Sequence, residues 1–186
     1  MCIRDRYKGL NALGSEGIIN VNVKDEKPGL NKVEIFLKQG NQVIKIYSTN
    51  LDGKKEEEIK IKVNPKSYGF LEGKGSIIVE ATDKSLLKNK AILEKEINFD
   101  FTPPTISIVN YTQNMINGGT GFVFFQSNEE LKNANINVGD VNFKCLKINQ
   151  TYICPFSIPY YFDSVKPINL SISDYAGNTA NQGLRI

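Results

Sequence analysis

The sequence predicts an all-β protein built as two antiparallel β-sandwiches in tandem, and three observations carry that expectation. Short segments in which apolar and polar residues alternate recur through the 186 residues, the period of a half-buried strand. No segment calls for a long helix. Midway, Thr102-Pro103-Pro104 interrupts the alternation. Each proline fixes its own φ, lacks an amide hydrogen and pushes the preceding residue toward extended geometry. The joint formed by Asp100, Thr102, Pro103 and Pro104 therefore reads as a short stiff spacer rather than a central strand.

Length agrees with two domains, because halves cut near the prolines are each large enough to bury a core. The expected boundaries are a disordered or artefactual leader over 1–16, a first sandwich over 17–101 and a second over 102–186. Met1-Cys2-Ile3-Arg4-Asp5-Arg6 looks like a translated sequencing adapter and is set aside with its cysteine. The lack of a signal peptide then says nothing about export. A net charge of +3 with interspersed signs argues against a nucleic-acid surface. No apolar run reaches the roughly 20 residues of a spanning helix, so no transmembrane segment is expected.

In the first half Ile19, Val21 and Val23 alternate with Asn20, Asn22 and Lys24, and Pro28-Gly29 turns the chain. Val33, Ile35 and Leu37 mark a second strand, Gln39-Gly40-Asn41 a hairpin turn and residues 43–47 the return. A loop is expected through Asn50, Asp52 and Gly53. Ile59, Ile61 and Val63 then alternate with Lys60 and Lys62, one face buried and the other bearing lysines that discourage edge pairing. Asn64-Pro65 opens one helical turn, since asparagine caps and proline suits the first position. Strands over 76–82 and about 90–99 complete roughly six short strands, the spacing of a sandwich.

The second half repeats the plan. Residues 105–109 are extended, and Asn117-Gly118-Gly119-Thr120-Gly121 is a flexible turn before the strongly apolar strand 122–125, expected to be central. Gly139-Asp140 separates 136–138 from 141–143 as a tight hairpin would. The last strands cover 167–173 and about 179–186. Setting residues 77–83 beside 168–174 superposes their apolar positions and brings Asn89 and Ala91 opposite Asn178 and Ala180. This reads as a diverged internal duplication.

Cys145 and Cys154 allow a geometric argument. If Asn149-Gln150 is a two-residue turn, Ile148 faces Thr151, Lys147 faces Tyr152, Leu146 faces Ile153 and Cys145 faces Cys154. The cysteines then fall on a non-hydrogen-bonded pair with α-carbons roughly 4.5 Å apart, within disulfide range. A disulfide would point to an oxidising compartment. Two buried free thiols are the alternative, because a one-residue change in the turn breaks the pairing.

The segment Ser173-Asp174-Tyr175-Ala176-Gly177-Asn178 is first a turn motif: Asp174 can accept backbone amides, Gly177 can take a positive φ, and Asn178 tolerates the left-handed region. Together with Asp100-Phe101-Thr102-Pro103-Pro104 it resembles the Asp-x-Ala-Gly-Asn turn and Thr-Pro-Pro lead-in of bacterial immunoglobulin-like repeats. The order of further features is more specific. It runs through Gly29-Leu30, Gln39-Gly40, Gly73, Thr102-Pro103-Pro104, Asn117-Gly118-Gly119, Val138-Gly139-Asp140, Pro159-Tyr160 and the 174–178 turn. That order resembles the tandem immunoglobulin-like region before the catalytic domain of LytM and lysostaphin-type zinc endopeptidases, which cut peptidoglycan. The resemblance implies an exported protein of the periplasm or cell surface. It also implies partners in the catalytic domain in cis, peptidoglycan or envelope proteins, and zinc held only by a catalytic domain beyond Ile186. The pair Cys145 and Cys154 is not part of that pattern and stands on geometry alone.

Within this chain no catalytic residue, metal ligand or cofactor is expected. There is no histidine to hold zinc, to serve a serine triad or to activate a thiol. Glu56-Glu57-Glu58 and Glu129-Glu130 read as solvated charge runs. The 117–121 loop feeds a strand rather than a helix and lacks a following lysine-serine pair, unlike a phosphate cradle. Calcium on Asp100, Asp174 and Asn178 is chemically suitable, but turn capping explains the same residues with no ion. Phe156, Tyr160, Tyr161 and Phe162, around Pro155 and Pro159, read first as core and rim packing and second as a stacking surface. The leading expectation is a noncatalytic tandem sandwich that positions or shields a peptidoglycan endopeptidase domain. The alternative is a surface adhesin or carbohydrate-binding repeat array.

Overall fold

A computed structural model describes residues 2–4, 11–161 and 168–185. The chain divides into two compact units, Met1–Phe101 and Thr102–Ile186, each with its own apolar core.

The first unit stacks two sheets. One has the order β1 (Cys2–Arg4), β3 (Gly17–Lys24), β6 (Glu56–Val63). The other has the order β2 (Ala12–Leu13), β8 (Lys90–Phe99), β7 (Gly73–Asp83), β4 (Leu30–Gln39), β5 (Gln42–Lys54). All pairs are antiparallel except β2 with β8. Alternation explains the layers: Ile19, Val21, Val23, Ile59 and Val63 face Val33, Ile35, Leu37, Ile77 and Val79 across the core. Full burial of each such side chain contributes about 1.5–3 kcal/mol. The 3-10 turn Pro65–Tyr68 is capped by Asn64, whose Oδ1 accepts the Ser67 amide at 3.3 Å. It delivers Phe70 into the core, 5.1 Å between ring centroids from Phe99.

Two expectations for this unit are corrected. Parts of the leader 1–16 lie in strands: Leu13 is fully buried and pairs parallel with Phe99, and Cys2–Arg4 runs antiparallel to Asn22–Lys24. The sandwich therefore starts before Gly17. Strands of two and three residues are too short to show a period, and a parallel pair has no hairpin turn to announce it. The loop expected through Asn50, Asp52 and Gly53 is the continuation of β5. Its left-handed residues, Asp52 at φ 48 and Gly53 at φ 91, sit where the register with β4 shifts between Leu30 and Lys32. Turn-forming residues here make a bulge, which keeps the strand going.

In the second unit one sheet has the order β13 (Leu146–Ile148), β14 (Thr151–Ser157), β10 (Thr120–Gln126), β9 (Ser107–Tyr111). The other has the order β12 (Val141–Lys144), β11 (Asn133–Val138), β15 (Ile168–Ser173), β16 (Thr179–Leu184). All pairs are antiparallel, and β10 is central. Val123, Phe125, Cys154 and Phe156 pack against Ile136, Val138, Leu170 and Ile172. The sheets read A-B-E-D and C′-C-F-G in immunoglobulin order. The first unit has the same B-E and G-F-C-C′ arrangement, with β1 and β2 dividing its A strand between the two sheets. Both units are immunoglobulin-like antiparallel sandwiches. Strand β9 starts at Ser107 rather than at 105, while Phe162, Pro167 and Ile186 lie outside the described residues. Among the described residues no helix is long and apolar enough to cross a membrane.

Candidate functional site

The motif residues build matching closures at the same place in each sandwich, the loop between its last two strands. Asp174 directly follows β15 and Asn178 directly precedes β16. The Asp174 amide donates to the Asn178 carbonyl at 3.1 Å, the Asn178 amide donates to Asp174 Oδ1 at 2.9 Å, and Asn178 Nδ2 donates to Asp174 Oδ2 at 2.8 Å. The Gly177 amide adds a 2.6 Å bond to Oδ1. In the first unit Asp83 and Asn89 make the same three bonds at 3.0, 2.9 and 2.8 Å, and the Ser85 amide and hydroxyl add two more to Oδ1. The residue before each asparagine is left-handed, Gly177 at φ 95 and Lys88 at φ 47. The flanking register also agrees: Thr82 faces Lys90 and Ala81 faces Ala91, as Ser173 faces Thr179 and Ile172 faces Ala180. One clasp thus closes two loops of different length, which is the pattern a duplicated unit leaves.

Carboxylates so bonded are structural. The Asp83 carboxyl is held below its ordinary value, first by the Ser85 hydroxyl and then by Asn89 and two amides, which together outweigh burial. Both oxygens of Asp174 accept clasp hydrogen bonds, the turn-capping role weighed above against calcium. Asn178 Nδ2 also reaches the Thr102 carbonyl at 3.4 Å, while the Thr105 amide donates to Asn128 Oδ1 at 2.8 Å, so the lead-in is tied to the second sandwich. Pro103 is exposed and Pro104 buried. The Asp100 amide donates to the Leu13 carbonyl at 3.2 Å within the first unit. Residues 100–106 form no regular element.

Cys145 marks a corner. Its amide donates to the Ala134 carbonyl of β11 at 2.9 Å, yet the next residue, Leu146, pairs with Ile153 of β14 in the opposite sheet. The chain over 141–148 thus switches sheets at this residue. The two-residue turn Asn149-Gln150 sets Ile148 against Thr151 and Lys147 against Tyr152, and Cys145 is joined to Cys154 by a disulfide with α-carbons 4.1 Å apart. Cys154 is fully buried, so the bridge pins the switch from inside the core.

The aromatic group is not brought together: Phe156 is a core residue, while Tyr160 and Tyr161 are 85% and 86% exposed. Asn117 Nδ2 donates to the Tyr160 carbonyl at 3.1 Å, fastening the glycine-rich turn to that loop. The acidic runs engage in local pairs, Glu57 with Lys54 at 3.0 Å and Glu130 with Lys147 at 2.8 Å. A groove of about 280 Å³ that sequence reading missed lies between residues 126–130 and 147–150, over Tyr152. The ion pair of Glu130 with Lys147 holds Glu130 below, and Lys147 above, the usual value, each mainly through their mutual hydrogen bond. Gln126, Asn149 and Gln150 also line the groove, without a recognisable sequence signature.

No family model and no curated protein matches the chain. Among solved structures it is similar to the FN1–FN3 domains of chicken CNTN1, at 13% identity and a TM-score of 0.45 over 95% of this chain and 62% of that one. It is also similar to Bacteroides ovatus SGBP-B of a mixed-linkage glucan utilization locus, solved with a mixed-linkage heptasaccharide. There the identity is 15% and the TM-score 0.30 over 97% and 44% of the two chains. The extracellular portion of mouse CD200RLa gives 12% identity and a TM-score of 0.31 over 94% and 96%. The chain thus spans less than two thirds of the first two proteins. Strand order and register, rather than these similarities, define the fold.

Proposed function

We propose that this chain is an exported, noncatalytic tandem immunoglobulin-like region that positions or shields a zinc peptidase domain acting on peptidoglycan, with that domain beyond Ile186. One observation carries the noncatalytic reading: the groups that look reactive in the sequence are committed to structure. Asp174 is consumed by its clasp and Cys145 and Cys154 by the corner, in a chain without histidine. The disulfide favours an oxidising compartment. The peptidase context rests on the order of motifs from Gly29 to Asn178, and sandwich modules serve many roles. The mechanism is steric: a stiff lead-in limits how a neighbouring domain is presented. The test is to express the complete reading frame with and without residues 1–186 and measure release of peptides from cross-linked peptidoglycan. The proposal expects these residues alone to be inert and their removal to change the rate or site of cleavage. Hydrolysis by residues 1–186 alone, or a reading frame without zinc-binding histidines, would end it.

The second reading, an adhesin or glycan-binding array, is favoured by the exposed Tyr160 and Tyr161. It expects retention on insoluble glycan that Tyr160→Ala and Tyr161→Ala abolish.

A further inference from the structure

Asn89 follows Asp83 by six residues, whereas Asn178 follows Asp174 by four, and the longer of the two clasped loops spends its extra length on an apolar tip. Leu86 and Leu87 occupy the two central positions of a turn closed by the Lys88 amide, which donates to the Ser85 carbonyl at 3.0 Å. They are 104% and 86% exposed, as open to water as in an extended peptide. Turn centres ordinarily take glycine, proline, asparagine, aspartate or serine, so folding does not call for a leucine pair here. The tip is also held in place. Asp83 accepts the Ser85 amide and hydroxyl together with the Asn89 amide and Nδ2, which fixes the base of the loop in one geometry. In the shorter loop Ala176 is buried and Tyr175 is 55% exposed.

Positive charge collects on the loop that carries the leucines. Lys84 and Lys88 flank the pair and both are exposed, while Lys90 is paired with Glu80 at 2.7 Å. The Lys84 amide donates to the Gly29 carbonyl at 2.8 Å and its Nζ to the Asp52 carbonyl at 3.4 Å, so residues 25–29 and 52–55 lie beside the base of the tip. Those two segments are balanced, with Lys27, Lys54 and Lys55 against Asp25, Glu26 and Asp52. The excess therefore rests with Lys84 and Lys88.

We propose that this tip docks on the surface of an anionic phospholipid bilayer, with Leu86 and Leu87 entering the acyl boundary and Lys84 and Lys88 resting among the headgroups. Shape selects that occupant. A stable protein partner needs a face of about 800 Å² per side, and two side chains on a turn present a point. A fluid bilayer needs no matching pocket and closes around a convex apolar tip. Glycan does not suit it, since branched aliphatic side chains offer no flat ring for a sugar to stack on. Charge agrees with shape: basic residues beside an apolar insertion are drawn to anionic lipid, and the two signals together hold where either alone is marginal. The inference goes beyond the peptidase reading and needs no domain after Ile186.

Flotation of the 186-residue chain with vesicles of two parts phosphatidylcholine to one part phosphatidylglycerol, and with phosphatidylcholine alone, tests it. The expected result is binding to the mixed vesicles that Leu86→Ser combined with Leu87→Ser weakens by about 30-fold or more. Lys84→Gln combined with Lys88→Gln weakens it by about 10-fold, as does omitting the anionic lipid. Serine suits a turn centre, and circular dichroism checks that each variant folds. The chain has no tryptophan, so Leu87→Trp adds a second readout: its emission should shift to the blue on mixed vesicles while that of Tyr175→Trp does not. A wild-type chain that ignores the mixed vesicles overturns the proposal. So does binding that the serine pair leaves intact, binding as tight to phosphatidylcholine alone, or a shift at position 175 with none at 87. A leucine-dependent dimer in sedimentation equilibrium would also overturn it, giving the tip to a second copy.

Discussion

The first and second sandwiches agree where the chain must close and diverge where it is free to wander. Both fasten the loop between their last two strands with the same aspartate and asparagine, through three hydrogen bonds whose lengths match within about a tenth of an ångström. They differ in the strand after the third. In the first unit β5 runs 13 residues in one sheet, and the chain crosses to the other only at Lys55. In the second, the equivalent strand leaves after four residues and is pinned at Cys145. The clasp solves a problem every such loop shares, buried amides that need acceptors. The middle strand has more than one solution, since either sheet can supply its hydrogen bonds.

The contrast can be broken in several ways. Replacing Cys145 and Cys154 together by alanine should cost the second unit about 2–3 kcal/mol and leave the first unchanged, read as one shifted transition in calorimetry. Gly75→Ala should act only on the first, where a Cβ would run into the Phe99 ring and lie 2.9 Å from the Lys38 carbonyl oxygen. Overpacking of that kind costs about 1–3 kcal/mol in urea unfolding. The clasp residues before the asparagines predict opposite signs: Gly177→Ala should destabilise by about 1 kcal/mol, and Lys88→Gly should stabilise by less than that. The smallest effect is acid sensitivity. Because the Asp83 pKa is lowered on folding, its clasp contributes fully above the ordinary carboxylate pKa near 4 and is lost as pH falls through the depressed value. Carboxyl NMR titration should show Asp83 protonating below the ordinary aspartate value.

Much of this was legible in the residues. The 146–153 pairing follows from counting outward from Asn149-Gln150, and the equivalence of Asn89 with Asn178 follows from aligning two apolar strands. What stayed hidden has physical causes. Ala12–Leu13 is too short to show a period and pairs parallel, without a hairpin turn to announce it. Asp52-Gly53 looks like a turn because the same positive φ serves a bulge. The run 122–125 announces a strand but not which side faces water. Only the register, with Val123 and Phe125 in the core, leaves Phe122 and Phe124 outside. The sheet switch at Cys145 does leave a mark, a one-residue shift of phase in which the apolar positions pass from 141, 143 and 145 to 146 and 148, but so short a run does not say that the chain changes sheets.

The central claim, that one clasped module occurs twice, is tested most directly by paired double-mutant cycles in urea unfolding. Asp83→Ala with Asn89→Ala is compared with Asp174→Ala and Asn178→Ala. The account predicts favourable coupling of about 1 kcal/mol or more in both cycles. Coupling in one unit and none in the other would show that the matching hydrogen bonds do not do the same job, and would contradict it.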